Sequence, residues 1–218
     1  MAMMLVPSHG LPGQEAPRPK QRLVLVGASI GKNWHFEQLD QRLGLAGYSF
    51  EYLGKDAFDK GPLIEELLRT SSKPHAVLIK ECSTYFPGDE AQYRRAVAQW
   101  IDKLRRAGVE PILVTTAPIG EPSGYLERFK IGVKHLVGKP TWLDSITRYN
   151  DWLKSFAQEQ RLAVFDLEAA VRGSERHRWL RADYAAGDSV HLNDTGYKAM
   201  DRAFAGFLDG WSRRLNQP

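Results

Sequence analysis

Residues 22–27 read RLVLVG and run straight into Ala28-Ser29-Ile30-Gly31. Four consecutive apolar residues, two of them β-branched, leave no wet face for a strand to present. Such a strand is covered on both sides, the condition of a parallel sheet flanked by helices. Similar runs recur at residues 48–53 (YSFEYL), 75–79 (HAVLI), 111–116 (PILVTT) and 162–166 (LAVFD). Between them lie helical patterns. Residues 89–107 show the clearest one, with Ala96, Val97, Trp100, Ile101 and Leu104 at helical spacing and Gly108 as a stop. Residues 35–45, 62–69, 142–158 and 193–208 are also read as helices, with Pro62 in a first turn and Asn193 or Asp194 near the cap of the last. Residues 118–140, rich in Gly, Pro and Lys, are read as a long connection.

Alternating strands and helices predict the α/β class, a three-layer α/β/α sandwich around a mostly parallel five-stranded sheet. The expected organisation is a disordered leader over residues 1–20 and one domain over 21–215. A chain of 218 residues with 43% hydrophobic and 26% charged residues can bury such a core. No apolar run approaches the ~18–20 residues of a membrane span. The first residues lack the positive n-region and apolar core of a secretory signal. The single cysteine, Cys82, leaves no intramolecular disulfide to form. Both features favour the cytoplasm, with a periplasmic or secreted site left open should an export signal have been trimmed. The net charge is +4, but the basic residues are scattered in pairs such as Arg94-Arg95 and Arg105-Arg106. That reads as a solvated face rather than a nucleic-acid interface. No His/Cys cluster, zinc motif or phosphate loop stands out, so no metal and no cofactor are expected.

In parallel sheets, ligands bind beyond the carboxyl ends of the strands. Ser29 sits there, after the first strand. Its bland reading is a strand-to-helix turn with a capping serine. Its chemical reading is a nucleophile beside helix N–H groups that face a developing negative charge. Near the other end stands Asp188-Ser189-Val190-His191-Leu192-Asn193. Serine needs a base to take its proton, and histidine is suited to that near neutral pH. A carboxylate three residues away can orient the imidazole from the same loop. The bland reading there is a capped loop with a surface histidine.

Taken together, the GASI block and the DSVHLNDTGY block resemble the SGNH/GDSL hydrolases over roughly residues 22–212. That resemblance implies a flavodoxin-like sandwich and a triad of Ser29, Asp188 and His191. It also implies an oxyanion hole of the Ser29 N–H, a glycine after the second strand and an Asn after the third. Gly61 is the first candidate for that glycine and Gly54 the second. The expected Gly-x-Asn-Asp is replaced by Lys80-Glu81-Cys82-Ser83-Thr84, and Thr84 falls in register with the Asn. Ala28 likewise stands where the family motif has Asp. Cys82 reads as a small buried residue, and Glu81 as a partner for Lys60 or Lys80. The aromatics Trp34, Phe58, Tyr85, Phe86 and Trp142 could line an acyl pocket or stack on sugar, although ordinary packing accounts for most of them.

The letters Gly27-x-Ser29-x-Gly31 also spell the nucleophile elbow of α/β-hydrolases. Against it, this serine ends the first strand, and the acid and base share one loop. The expected activity is therefore a serine esterase acting on a small-molecule or glycan ester, with short-chain acyl or O-acetyl groups. The alternatives are a catalytically silent ligand- or glycan-binding domain and an O-acyltransferase using the same three residues.

Overall fold

The computed structural model describes residues 20–215. All but the last residue of the expected leader lies outside the described residues. Five strands form one sheet: β1 (Gln21–Gly27), β2 (Tyr48–Gly54), β3 (Ala76–Lys80), β4 (Glu110–Val114) and β5 (Ala163–Phe165). Their order is β2-β1-β3-β4-β5, and every pairing is parallel.

Successive side chains of a strand point to opposite faces, and here both faces are dry. Leu23 and Leu25 of β1, Leu78 of β3, Ile112 of β4 and Phe165 of β5 enter one core. That core is closed by α1 (Ser29–Asn33), α2 (Leu39–Leu43), α7 (Leu167–Val171) and α8 (Asp194–Leu215). Val24 and Val26 of β1, Ile79 of β3 and Leu113 of β4 enter the other. There the cover is α3 (Gly61–Arg69), α4 (Glu90–Arg106) and α6 (Trp142–Gln160). The result is the expected three-layer sandwich.

The strand order places the crevice. The chain leaves β1 outward to β2, then returns past β1 to β3, so the direction of growth reverses between β1 and β3. At such a switch point the carboxyl ends of the two strands open a cleft. The segment that follows β1 is tied down beside it. Trp34 donates its indole N–H to Asp201 of α8 at 2.7 Å, and Arg42 of α2 holds the same carboxylate at 3.1 Å. Arg42 also donates to the carbonyls of Trp34 and His35, the latter residue in the left-handed region at φ 49°.

The structure differs from the sequence reading in three places. The helix expected over 35–45 is a 3-10 turn, Phe36–Gln38, followed by the short α2. The connection expected over 118–140 contains a helix, α5 (Tyr125–Leu136). Short α7, capped by Asp166 accepting from the Ala169 N–H, was not anticipated. Its five residues are too few to show a helical period.

Phe204 is fully buried and meets Trp34, Phe50, Phe165 and Phe207 at ring-centroid distances of 5.2, 6.1, 5.1 and 5.8 Å. Replacing it with alanine opens a cavity where α8 joins the sheet, at an expected loss of ~3–5 kcal/mol. Urea unfolding of Phe204→Ala measures this. A loss under about 1 kcal/mol would mean the ring cluster collapses around the gap.

Candidate active site

Ser29 is the first residue of α1, directly after β1. Ala28 before it is extended (φ −125°), and its carbonyl accepts from the Gly31 N–H and the Tyr52 hydroxyl, both at 2.9 Å. The turn can be this tight because residue 31 is glycine. A Cβ there would stand 2.7 Å from the Tyr52 ring. As the first helical residue, Ser29 has an N–H with no partner inside the helix.

Asp188 and His191 arrive on the irregular segment between α7 and α8. Backbone bonds fix its path: Leu180 N–H to Ile119 O, Gly120 N–H to Ser189 O, Ala186 N–H to His191 O, and Asn193 N–H to Tyr184 O. Arg178 clamps its start through Glu168 (2.5 and 2.7 Å) and Asp151 (2.8 Å). Ser189 takes a left-handed conformation, φ 58°, and packs so close to Gly120 that a Cβ there would be 2.8 Å from its own.

On this loop one Asp188 oxygen accepts from the Val190 and His191 N–H groups, each at 2.9 Å. The other lies 2.6 Å from His191 Nδ1. These bonds, the one from the imidazole foremost, hold the Asp188 carboxyl down at about 2. An ionised carboxylate only accepts, so Nδ1 carries the hydrogen, and the neutral ring presents a lone pair at Nε2. Ser29 Oγ is 2.8 Å from that atom. The structure thus brings Ser29, His191 and Asp188 into one hydrogen-bonded line across 162 residues of chain.

A cavity of about 610 Å³ opens over Ser29 and His191. Its wall is polar: Lys32 and Asn33 from α1, Tyr52 and Gly54 from β2, then Lys55 and Asp56. Gly54 therefore stands beside Ser29. Gly61 is not among the lining residues, and its N–H donates instead to Asp59 at 2.8 Å. Thr84 is exposed, and its hydroxyl is 3.1 Å from Cys82 Sγ. The sequence reading missed Tyr52, Lys32, Asn33, Lys55 and Asp56. All lie at or just beyond the carboxyl ends of β1 and β2, where the rule that singled out Ser29 also points.

Cys82 is buried, as expected. The five aromatics pack rather than line the cavity. Trp34 lies in the α8 core, Phe58 stacks on Tyr93 at 4.1 Å, and Trp142 donates to Ser83 O at 2.7 Å. Lys60, Lys80 and Glu81 are all fully or almost fully buried. Lys60 is tied to the Lys55 and Ala57 carbonyls at 2.6 Å each, and Lys80 to the Glu81 carbonyl at 2.9 Å. Neither ammonium bonds the Glu81 carboxyl, whose two oxygens have no hydrogen-bond partner. Burial pushes that carboxyl up to about 8, against the pull of Lys60 and Lys80. Among the described residues no group of three or more His, Cys, Asp or Glu is placed to hold a metal ion.

No family model matches the chain, and no curated protein matches it in sequence. Solved structures do match in shape. A GDSL-like lipase from Bacteroides thetaiotaomicron superposes with a TM-score of 0.64 at 15% identity, covering 87% of this chain and 88% of that one. A catalytic mutant of an acetylxylan esterase from Geobacillus stearothermophilus gives 0.61 at 16%, covering 87% and 94%. This chain has the fold of the SGNH/GDSL hydrolases. The two blocks where this chain differs from the sequence pattern expected from the resemblance are Ala28, before the serine, and Lys80-Glu81-Cys82-Ser83-Thr84, at the end of β3.

The buried Glu81 carboxyl has a stability consequence. Its folded pKa lies above the ordinary 4.5, so the native state holds a proton that the unfolded chain releases. Wild-type stability should fall as pH rises from about 4.5 to about 8, and Glu81→Gln, which cannot ionise, should lack that component. Urea unfolding of both proteins at the two ends of the window tests this. Parallel pH profiles would show that Glu81 is already ionised through the window.

Proposed function

We propose that this chain is a serine esterase in which Ser29 is the nucleophile, His191 the general base and Asp188 the group that orients it. The observation that carries this reading is the continuous line from Asp188 through both imidazole nitrogens to Ser29 Oγ, open to a cavity at the switch point. Ser29 Oγ attacks the ester carbonyl carbon as His191 Nε2 takes the hydroxyl proton. Asp188 stabilises the imidazolium that results. The oxyanion forms beside the start of α1, where the Ser29 N–H is the nearest donor, and Gly54 is the better placed of the two glycine candidates. Collapse expels the alcohol, which takes its proton from His191. Water then attacks the acyl-enzyme with His191 again as base, releasing the acid and restoring Ser29.

The polar wall of Lys32, Asn33, Lys55 and Asp56 supports a short acyl or O-acetyl ester over a long aliphatic chain. The likeness to an acetylxylan esterase supports the same substrate class, including glycan esters. The test is hydrolysis of p-nitrophenyl acetate, butyrate and octanoate. Ser29→Ala and His191→Ala should each lower kcat by ~10³-fold or more, and the double variant should fall little further, because the pair acts as a unit. Acetate should be the best of the three. Turnover no higher than that of Ser29→Ala, in folded wild type, would overturn the esterase reading in favour of a binding domain or an acyltransferase.

A further inference from the structure

The large apolar side chains that stand exposed among the described residues all lie on one stretch: Tyr125, Leu126, Phe129, Val133 and Leu136 of α5, and Val137 just after it. Tyr125 is 82% and Leu136 86% exposed, so these rings and chains project into solvent. At ~100° per residue the six fall within an arc of about 120°. Ile131, on the far side of the helix, is half-buried. The helix is held by its own ends. The Arg128 N–H bonds Gly124 O, and the Arg128 side chain bonds Pro122 O at 2.8 Å. At the other end the Val137 N–H bonds Val133 O, and Gly138 turns the chain at φ 67°.

A helix with its apolar arc outward lacks a partner, and the surrounding charge says which kind fits. Residues 121–139 carry Arg128, Lys130, Lys134 and Lys139 against two acids, Glu127 and Glu121, the latter paired with Arg128 at 3.5 Å. Lys130 and Lys134 follow the apolar arc around the helix. A second copy docked by a two-fold axis would set this positive charge against itself. An anionic lipid surface supplies apolar depth and opposite charge together. Twelve residues are too few to cross a bilayer, and no helix among the described residues is long and apolar enough to do so.

We propose that α5 is an interfacial helix that lies in the surface of an anionic membrane. It follows β4 at the carboxyl edge of the sheet, and Arg128 shares a hollow of about 510 Å³ with Gly120 and Ser189, next to Asp188. Docking through α5 brings the edge that bears Ser29 to the lipid surface. This binding does not rest on the esterase reading.

The test is co-sedimentation of the full chain with phosphatidylcholine vesicles, with and without phosphatidylglycerol, at low and high salt. The full chain and Ser29→Ala should bind the anionic vesicles alike, and salt should weaken binding. Leu126→Ser/Phe129→Ser/Leu136→Ser should lower the partition coefficient by about tenfold or more. Its circular dichroism should match wild type, because all three side chains face solvent. Failure to bind anionic vesicles overturns the proposal, as does equal binding by the triple variant. So does a dimer seen by light scattering that ignores vesicles and that the triple variant dissociates.

Discussion

The structure depends on the double burial of β1. Leu23, Val24, Leu25 and Val26 have no solvent exposure, and they divide between two cores by simple alternation. A strand dry on both faces sits inside the sheet, with helices on either side. Because β2 pairs on one side of it and β3 on the other, its carboxyl end becomes the switch point. Ser29 needs no loop of its own to reach the cleft. The strand delivers it there, and the Tyr52 hydroxyl and Asp201, through Ala28 and Trp34, hold the short helix that follows.

The partners of Ser29 are positioned by different means. No strand carries Asp188 or His191. Their loop is set by backbone bonds to the segment after β4, by the clamp of Arg178 on buried Glu168, and by the close approach of Ser189 to Gly120. The Asp188 carboxylate accepts three hydrogen bonds from within residues 188–191. Asp188 and His191 are therefore tied to each other within their own loop, independently of Ser29.

Much of this was legible in the sequence. The five strands were readable from apolar runs, and the sandwich followed from their alternation with helices. Ser29, Asp188 and His191 were singled out by their residue types and by the likeness of their two blocks to the SGNH/GDSL pattern, and the structure brings them within hydrogen-bonding distance of one another. What was not legible depended on packing between distant segments. Gly54 and Gly61 are both turn glycines in sequence, and only the hydrogen bond from Gly61 to Asp59 and the path of the cavity wall tell them apart. Tyr52 was hidden because its strand looked complete without a role for its hydroxyl. Helix α5 was hidden because Gly132, Pro122 and several lysines mask a period whose apolar side faces no core.

Two departures from apolar-in, polar-out patterning flank the carboxyl edge of the sheet. Inside, Lys60, Lys80 and Glu81 lie buried where apolar side chains would pack at lower cost. Outside, α5 exposes Phe129 and Leu136 where polar ones would serve solubility. Local consistency normally removes such conflicts, and they persist where a site requires them. The ammonium of Lys60 shows the use of the first. It joins the carbonyls of Lys55 and Ala57, so the loop that walls the Ser29 cavity is braced from beneath by a charge, which fixes direction as an apolar contact does not. Helix α5 keeps its shape through its own end contacts, with its apolar arc unburied, so that arc contributes little to folding. Its apolar surface stays open to solvent, on the same side of the molecule as the hollow that Arg128 shares with Gly120 and Ser189.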